Sequence, residues 1–326
     1  MQSSENRIVY LDLLRLIATF AVVLLHVSCG GFLSFTGDTN YYVSLVYDGL
    51  SRWCVPVFVM ISGALFLRPE KTVTLKGLYG KSIGRLVICY VLWSLIYYLL
   101  FSFDGNFSMR FLLHPHFHLW FLRMLVFVYV LVPILRIIAR DEKITKYCLI
   151  VWTFYLILSF AGRFELFRMN PVVGYSGYFL LGYYLSQKTF TKRQLILVCL
   201  LGVAGIVVTL LGTGLLSEKN LHANEQFFSY LTVNVAAMAT AVFVTTKKLA
   251  DKCGNGVARF LGVIGKDLFG VYLTHALWLP LVNTPTIHSW GTPVIMIPLI
   301  ALAVFALSLA LTRLMRLIPV LKKIVE

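Results

Sequence analysis

The sequence predicts an all-α polytopic membrane protein with about ten transmembrane helices and with both termini in the cytoplasm. Three observations predict this class. The chain of 326 residues is 59% hydrophobic and only 13% charged, whereas a soluble domain is about half apolar and a quarter charged. Apolar runs of about 20 residues, the length that crosses a bilayer, recur along the chain. Basic residues are concentrated between alternate runs, as the positive-inside rule requires.

The apolar runs set the boundaries of the predicted spans. Several runs are short, and Pro56, Pro133 and Pro280 lie within or near their ends, which predicts tilted or kinked helices. The ten predicted spans cover residues 9–29, 53–68, 83–103, 119–137, 147–162, 172–187, 194–216, 227–246, 264–282 and 293–315.

Lysines and arginines orient these spans. With a cytoplasmic N-terminus, 22 of the 29 basic residues fall in inner segments, and Arg15 and Arg123 fall inside spans. The five outer basic residues are Arg52, Arg110, Arg163, Arg168 and Lys219, and of these Arg52 is also a candidate for substrate binding. Omitting one span would destroy this alternation, so the charges predict ten spans with both ends inside.

The same features exclude several classes of protein. The net charge of +15 does not indicate nucleic-acid binding, because the basic residues are spaced between apolar segments and form no single patch. The gaps between spans leave no room for a soluble domain, so we expect residues 1–326 to form one integral-membrane domain. The six cysteines form no closely spaced pair, which argues against a zinc module, and we expect no disulfide between Cys29 and Cys54.

Three ionisable residues in the first span are the leading candidates for a functional site. Asp12 and Arg15 are three residues apart and neighbour one another on a helix. His26 follows Arg15 by eleven residues, which returns it to nearly the same face, about 16 Å further along the axis. Charges inside a span are costly and usually functional. The alternative is a buried ion pair that aids packing and an interfacial histidine with satisfied hydrogen bonds.

A second candidate cluster is His114-Pro-His-Phe-His118, just before the fourth span on the outer side. Alternating histidines on an extended segment share a face and can bind a metal. No carboxylate or cysteine ligand is adjacent, so we predict no metal site and favour His118 as one functional histidine, with His114 and His116 auxiliary. Arg123 lies one to two turns deeper, where it must face an anion, carbonyl groups or water.

A third group of polar residues lies within other apolar runs. Tyr272 and His275 are three residues apart in the ninth span and can share a face, although a hydrogen-bonded core histidine explains His275 equally well. Ser62 is embedded in the second span. Asp12 is predicted to be the only carboxylate well inside a span, apart from Asp267 near an inner end. The small residues of the apolar runs are expected to serve close helix packing, and they include Gly63, Gly174, Gly177 and Gly182.

These residues resemble the signature of the acyltransferase-3 family of membrane acyltransferases. The Arg15-x10-His26 spacing is the first point of similarity, and four further stretches follow it in order along the chain. They are Val55-Pro-Val-Phe-Val-Met-Ile-Ser-Gly63, His118-Leu-Trp-Phe-Leu122, Gly177-Tyr-Phe-Leu-Leu-Gly182 and Gly270-Val-Tyr-Leu-Thr-His275. Within the family, the chain looks most like the small bacterial O-acetyltransferases that act on enterobacterial common antigen.

The resemblance implies a function and a location. It implies transfer of an acyl group, usually acetyl, from cytoplasmic acetyl-CoA to a hydroxyl of an extracytoplasmic or lipid-linked glycan, in the bacterial inner membrane. Acetyl-CoA would be a co-substrate, and no bound cofactor is expected. Arg15, held by Asp12, would orient the coenzyme A moiety, and His26 would act as general base or as a nucleophile that carries the acetyl group. His118, Arg123 or Ser62 would stabilise the oxyanion.

Two other functions remain open at this point. Intramembrane Asp, Arg and His residues also serve proton-coupled transport, so a glycan or small-anion transporter or flippase is the main alternative. No internal repeat of halves is visible, although many transporters show one. A non-catalytic membrane scaffold would use the charges of the first span for stability alone.

Overall fold

The computed structural model describes residues 8–105, 107–160 and 171–325. These residues form helices and connecting loops, and none of them is in a β-strand. The helices are α1 (Val9–Leu33), α2 (Thr39–Ser51), α3 (Cys54–Phe66), α4 (Leu75–Gly77), α5 (Gly84–Phe101), α6 (Trp120–Val130), α7 (Val132–Ala139), α8 (Glu142–Phe160), α9 (Pro171–Gln187), α10 (Lys192–Asn220), α11 (Val233–Ala250), α12 (Asn255–Ile264), α13 (Leu268–Val282), α14 (Pro285–His288), α15 (Pro293–Leu317) and α16 (Pro319–Lys322). A π-helix, Leu78–Ile83, joins α4 to α5.

The helical fold contains between seven and nine candidate membrane spans in the described residues. Seven continuous stretches are long and apolar enough to cross a bilayer. Two further candidates are bent pairs, α6 with α7 at 57° and α12 with α13 at 55°. Pro133 follows the first bend directly, as expected for a residue that cannot donate a helical hydrogen bond.

The prediction of ten spans is supported only in part. The predicted span at 172–187 coincides with α9, which is helical but only 17 residues long, at the lower limit for crossing a bilayer. Two residues of the predicted span at 147–162 and three basic residues used for orientation lie outside the described residues. Those three are Arg7, Arg163 and Arg168.

The second candidate span begins earlier than predicted. It runs from Thr39 to Phe66 as α2 and α3, whereas the sequence placed its start at residue 53. Asp48 therefore lies inside a candidate span, and its side chain is fully buried. Asp48 is thus a further buried carboxylate within a candidate span, besides the predicted Asp12 and Asp267. The sequence did not indicate this earlier start because α2 contains polar residues, which lower its mean hydropathy, before the apolar run of α3.

Helix α1 is the centre of the bundle. It packs against α2, α3, α11, α12, α13 and α15, and its side chains enter both large apolar clusters of the core. Its central position explains why polar groups on α1 face protein and cavities.

Glycines allow α3 and α9 to pack closely. A Cβ atom on Gly63 would lie 1.8 Å from the carbonyl oxygen of Phe179, and one on Gly182 would lie 2.1 Å from that of Met60. Such contacts are possible only without a side chain, as in small-residue packing of membrane helices. The prediction that these glycines serve helix packing is confirmed.

One end of the bundle, here called the basic end, holds Arg15, Arg68, Lys71, Arg136 and Lys247. Lys247 Nζ lies 5.9 Å from the Tyr10 ring near the start of α1 and donates to the carbonyl groups of Leu185, Ser186 and Lys188. Arg136 donates to the Phe66 carbonyl. Basic side chains therefore close the carboxyl ends of helices at this end, where cations complement the helix dipole. All six cysteines have free thiols.

Candidate functional site

Helix α1 carries the two most informative polar groups at different depths. It is continuous from Val9 to Leu33, so the eleven residues between Arg15 and His26 correspond to about 16 Å along its axis. Arg15 lies toward the basic end and His26 toward the opposite end. Each of the two lines a separate cavity.

The first cavity, here called the basic cavity, has a volume of about 640 Å³. Four cations line it, namely Arg15, Lys81, Arg85 and Lys266. The volume lies in the usual range for small-molecule sites. A cavity with four cations in its wall is suited to a ligand with several negative charges.

Asp12 fixes the position of Arg15 at this cavity. Arg15 Nη1 donates to Asp12 Oδ1 over 2.9 Å, and Asp12 is buried whereas the Arg15 side chain is about one-third exposed. The pair leaves guanidinium donors of Arg15 facing the cavity. The two residues are therefore brought together as the sequence predicted.

A further basic side chain, that of Lys71, lies beside the basic cavity. Lys71 Nζ lies 3.8 Å from the centre of the Phe66 ring, and Phe66 lines the cavity. Burial lowers the pKa of Lys71 below its usual value, and the nearby charges of Arg136, Arg68 and Arg15 lower it further. An anion bound here would relieve this repulsion.

His26 lines a much smaller pocket of about 20 Å³, here called the histidine pocket. That volume holds about one water molecule. His118 lines the same pocket, although it lies 92 positions later in the sequence. The structure thus brings together two histidines that the sequence predicted separately.

Four imidazole rings form a cluster at this pocket. The His26 ring stacks on His275 with centroids 5.2 Å apart and planes at 17°. The His118 ring lies 4.9 Å from His275 and 5.3 Å from His116. His114 is exposed and has no ring contact with these four in the described structure. Three histidines from two separate segments, the stretch before α6 and helix α13, thus form one cluster with His26.

The hydrogen bonds of His275 and Tyr272 fix the back of the cluster. His275 Nδ1 lies 2.6 Å from the Tyr272 carbonyl oxygen, and its buried Nε2 has no hydrogen-bond partner within the described residues. Tyr272 donates its hydroxyl to the His118 carbonyl over 2.6 Å. Helix α13 thereby holds both the ring behind His26 and the backbone of His118.

One hydrogen bond joins the rings of His116 and His118. Their Nδ1 atoms lie 3.2 Å apart, so one ring must donate and the other accept. Burial lowers the pKa of His116 to about 4, which keeps it neutral near pH 7. The Nε2 atom of His118 is buried without a hydrogen-bond partner in the described part of the chain and belongs to a ring that lines the histidine pocket.

A third cavity of about 530 Å³, here called the outer cavity, opens beyond the histidine pocket. Arg52 and Arg123 both line it. Arg52 is buried, pairs with Asp48 over 2.6 Å and lies 4.3 Å from the centre of the Phe228 ring. Arg123 is exposed and donates from Nη1 to the Leu113 carbonyl over 3.0 Å.

The three cavities share their walls. Phe58, Phe121 and Tyr272 line both the basic cavity and the histidine pocket. Trp120 and Tyr230 line both the histidine pocket and the outer cavity. The histidine pocket, which holds His26, therefore lies between the other two cavities, with aromatic side chains at each junction.

Ser62 is separated from His26 by this arrangement. It lines the basic cavity, donates to the Phe58 carbonyl over 3.1 Å and accepts from the Tyr129 hydroxyl over 3.2 Å. Among the residues described, no group of three or more His, Cys, Asp or Glu side chains is placed to hold a metal ion.

Comparison with known proteins gives one decisive match. A family model described as an acyltransferase domain, of the acyltransferase-3 type, matches residues 8–313. The chain belongs to the acyltransferase-3 family. Membership supports acyl transfer, with an acyl donor and an acceptor as partners. No curated protein and no solved structure gives a significant match to the chain.

Several residues of this candidate site were not identified from the sequence. Asp48 and Glu225 hold Arg52, whose guanidinium reaches Glu225 over 3.6 Å. The aromatic junctions also went unrecognised, because aromatic residues are ordinary in apolar spans. The four-residue spacing of Asp48 and Arg52, typical of a helical ion pair, was the one signal available.

Proposed function

We propose that the protein transfers an acetyl group from acetyl-CoA to a hydroxyl of a cell-envelope or lipid-linked glycan. The position of the histidine pocket between two larger cavities is the observation that carries the proposal, since a donor in one cavity and an acceptor in the other would meet at His26. The family membership supports acyl transfer over the alternative of a transporter or flippase. We place the protein in the bacterial inner membrane as one domain of ten spans, with the basic end and both termini cytoplasmic.

The basic cavity is the proposed donor site. Acetyl-CoA carries several phosphate charges, and charge-assisted hydrogen bonds from arginine and lysine are the strongest contacts for phosphate. Arg15, Lys81, Arg85 and Lys266 supply those donors. The linear pantetheine arm would then extend past Phe58 and Phe121 and bring its thioester to the histidine pocket.

His26 is the proposed general base. Its imidazole takes the proton of the acceptor hydroxyl while that oxygen attacks the thioester carbonyl carbon. The tetrahedral intermediate collapses by breaking the carbon–sulfur bond, and the imidazolium returns the proton to the departing thiolate. The products are the O-acetylated glycan and coenzyme A, and His26 ends neutral. An acetyl-His26 intermediate would follow the same cavities in two steps.

His118 is the favoured candidate for stabilising the oxyanion. When His116 Nδ1 donates to His118 Nδ1, the hydrogen of neutral His118 lies on Nε2. A buried N–H for which the described residues offer no acceptor, on a ring that lines the pocket of His26, is suited to a developing negative charge. Ser62 and Arg123, the other candidates, line the basic and outer cavities instead.

His275 is proposed as a positioning residue. Its ring stacks on His26 and is anchored at Nδ1 by the Tyr272 carbonyl. It is fully buried, so it restricts the orientation of the His26 ring without contacting solvent. Tyr272 belongs to the same support, because it holds both His275 and the His118 backbone.

A transfer assay tests the proposal directly. Membranes containing the protein are supplied with acetyl-CoA labelled in the acetyl group, and covalent label in membrane glycans is measured. We expect label with the wild-type protein and a loss of roughly 100-fold or more with His26→Ala, in line with the usual contribution of a general base. His222→Ala is the matched control, because His222 is exposed and lies outside the cavities. Wild-type labelling by a stably inserted His26→Ala protein would refute the mechanism.

Mass spectrometry of surface glycans addresses the acceptor. Glycans from cells with and without the protein are compared for added acetyl groups. The resemblance to enzymes of enterobacterial common antigen makes that glycan the first acceptor to examine. Transport without covalent label would instead favour a transporter or flippase.

A further inference from the structure

We propose that the outer cavity binds an acceptor sugar bearing a negative charge, a carboxylate or a phosphate, through Arg123. The inference rests on the proposed acetyl transfer and adds the chemical class of the acceptor. Its basis is an arginine that forms no ion pair within the described residues and that lines a cavity joining the pocket of His26.

Arg123 has binding capacity that the protein does not use. A guanidinium offers five N–H donors, and one hydrogen bond, to the Leu113 carbonyl, is formed within the described residues. Arg123 forms no ion pair with any described carboxylate, whereas Arg52 in the same cavity pairs with Asp48 and Glu225. Arg52 is thus neutralised, whereas no carboxylate of the described residues takes up the charge of Arg123.

The walls beside Arg123 are suited to a sugar ring. Trp120 and Tyr230 line the cavity, with ring centroids 5.9 Å apart and planes at 26°. Their rings offer apolar faces with polar edges, which match the apolar and hydroxyl-bearing sides of a sugar. Trp120 and Arg123 are three residues apart on α6, so they project from neighbouring positions of one helix face.

Two aromatic side chains connect the proposed sugar site with the pocket of His26. Trp120 and Tyr230 line the histidine pocket as well as the outer cavity. A ring held on these side chains would present a hydroxyl toward His26 while its acidic group contacts Arg123. The charge would therefore select the acceptor and also orient it.

Inhibition by small sugars tests this inference. The transfer of labelled acetyl to endogenous membrane glycans is measured in the presence of methyl glucoside, methyl glucuronide or glucose 1-phosphate, all at saturating acetyl-CoA. We expect each charged sugar to inhibit at a concentration roughly tenfold or more below that of methyl glucoside, as a charge-assisted hydrogen bond predicts. The glucuronide and phosphate arms then distinguish a carboxylate from a phosphate as the preferred group.

Variants at Arg123 complete the test. Arg123→Gln should abolish the difference between charged and neutral sugars, Arg123→Lys should retain most of it, and Arg110→Gln, outside the cavity, should leave it unchanged. Equal inhibition by all three sugars in the wild type, or a preserved preference in a stably inserted Arg123→Gln protein, would overturn the inference. Failure of the proposed function is distinct, because the wild type would then label no membrane glycan in the absence of any inhibitor.

Discussion

At the scale of single residues, the site depends on how its polar groups are supported. Arg15 is held by Asp12, His26 by the stacked ring of His275, and His118 by the Tyr272 hydroxyl at its backbone. Catalytic groups act efficiently when their neighbours fix their orientation. The supporting residues therefore matter as much as the groups that contact the substrates.

The role of His118 leads to a kinetic prediction. Replacement by alanine removes the proposed oxyanion donor, so kcat should fall by about 10²–10³-fold. The KM for acetyl-CoA should change little, because the basic cavity does not include His118. Steady-state kinetics of His118→Ala in membranes checks both values, with His114→Ala as a control on the same segment. A change in KM alone would show that His118 binds the donor instead.

Lys71 leads to a prediction of pH dependence. Its pKa lies below the usual lysine value because of burial and three neighbouring arginines, so it loses its positive charge at lower pH than other lysines. The neutral form attracts phosphate less, and the KM for acetyl-CoA should therefore rise as pH increases through this lowered pKa. Lys71→Arg keeps the charge at alkaline pH and should remove the rise. An identical pH profile of KM in the two proteins would contradict a role of Lys71 in donor binding.

At the scale of elements, close helix packing positions the site. Helix α3 contributes Phe58 and Ser62 to the basic cavity, and its distance from α9 is set by Gly63 and Gly182. The backbone carbonyls of the facing helix occupy the space that a side chain would need. A larger residue would force the helices apart, since interiors at this density cannot absorb an added methyl group.

Gly182→Ala tests this packing. The new Cβ would lie 2.1 Å from the Met60 carbonyl oxygen, so the free energy of unfolding should fall by about 1–3 kcal/mol. Gly30→Ala is the matched control, because a Cβ there meets no atom within 4 Å. Thermal unfolding of both purified variants in detergent measures the difference. Equal unfolding temperatures would mean that α3 and α9 can separate without cost.

At the scale of the whole molecule, the two ends of the bundle differ in charge and in the cavity that each contains. Basic side chains close one end of the bundle, and the basic cavity lies at that end. A cytoplasmic basic end would therefore place the donor cavity on the side where acetyl-CoA is made. The outer cavity, which holds the Asp48–Arg52 pair and also Arg123, would face the envelope.

Labelling from outside the cell tests this orientation. Single cysteines introduced at Lys143 and Lys219 report on opposite ends, and both positions are exposed. In spheroplasts, a membrane-impermeant maleimide should label Lys219→Cys well above the wild-type background and should label Lys143→Cys only after permeabilisation. The reverse pattern would invert the bundle and exclude a cytoplasmic donor at the basic cavity.

The class of the protein and the residues of α1 followed from the sequence, because burial in lipid and helical periodicity are local properties. A helix that crosses a membrane must be apolar over about 20 residues, and Arg15 and His26 share a face through spacing alone. Hydropathy alone placed the start of the second span at residue 53, because polar residues such as Asp48 interrupt the apolar run, although Asp48 forms an ion pair with Arg52 four residues later.

The assembly of the site was decided by the tertiary structure. His118 and His275 reach His26 from segments 92 and 249 positions away, and no spacing rule connects residues at such separations. The walls shared by the three cavities likewise depend on how the helices pack, which the polarity of each helix does not specify. Local sequence thus determined which groups must be kept from lipid, and only the packing of the bundle determined which of them meet.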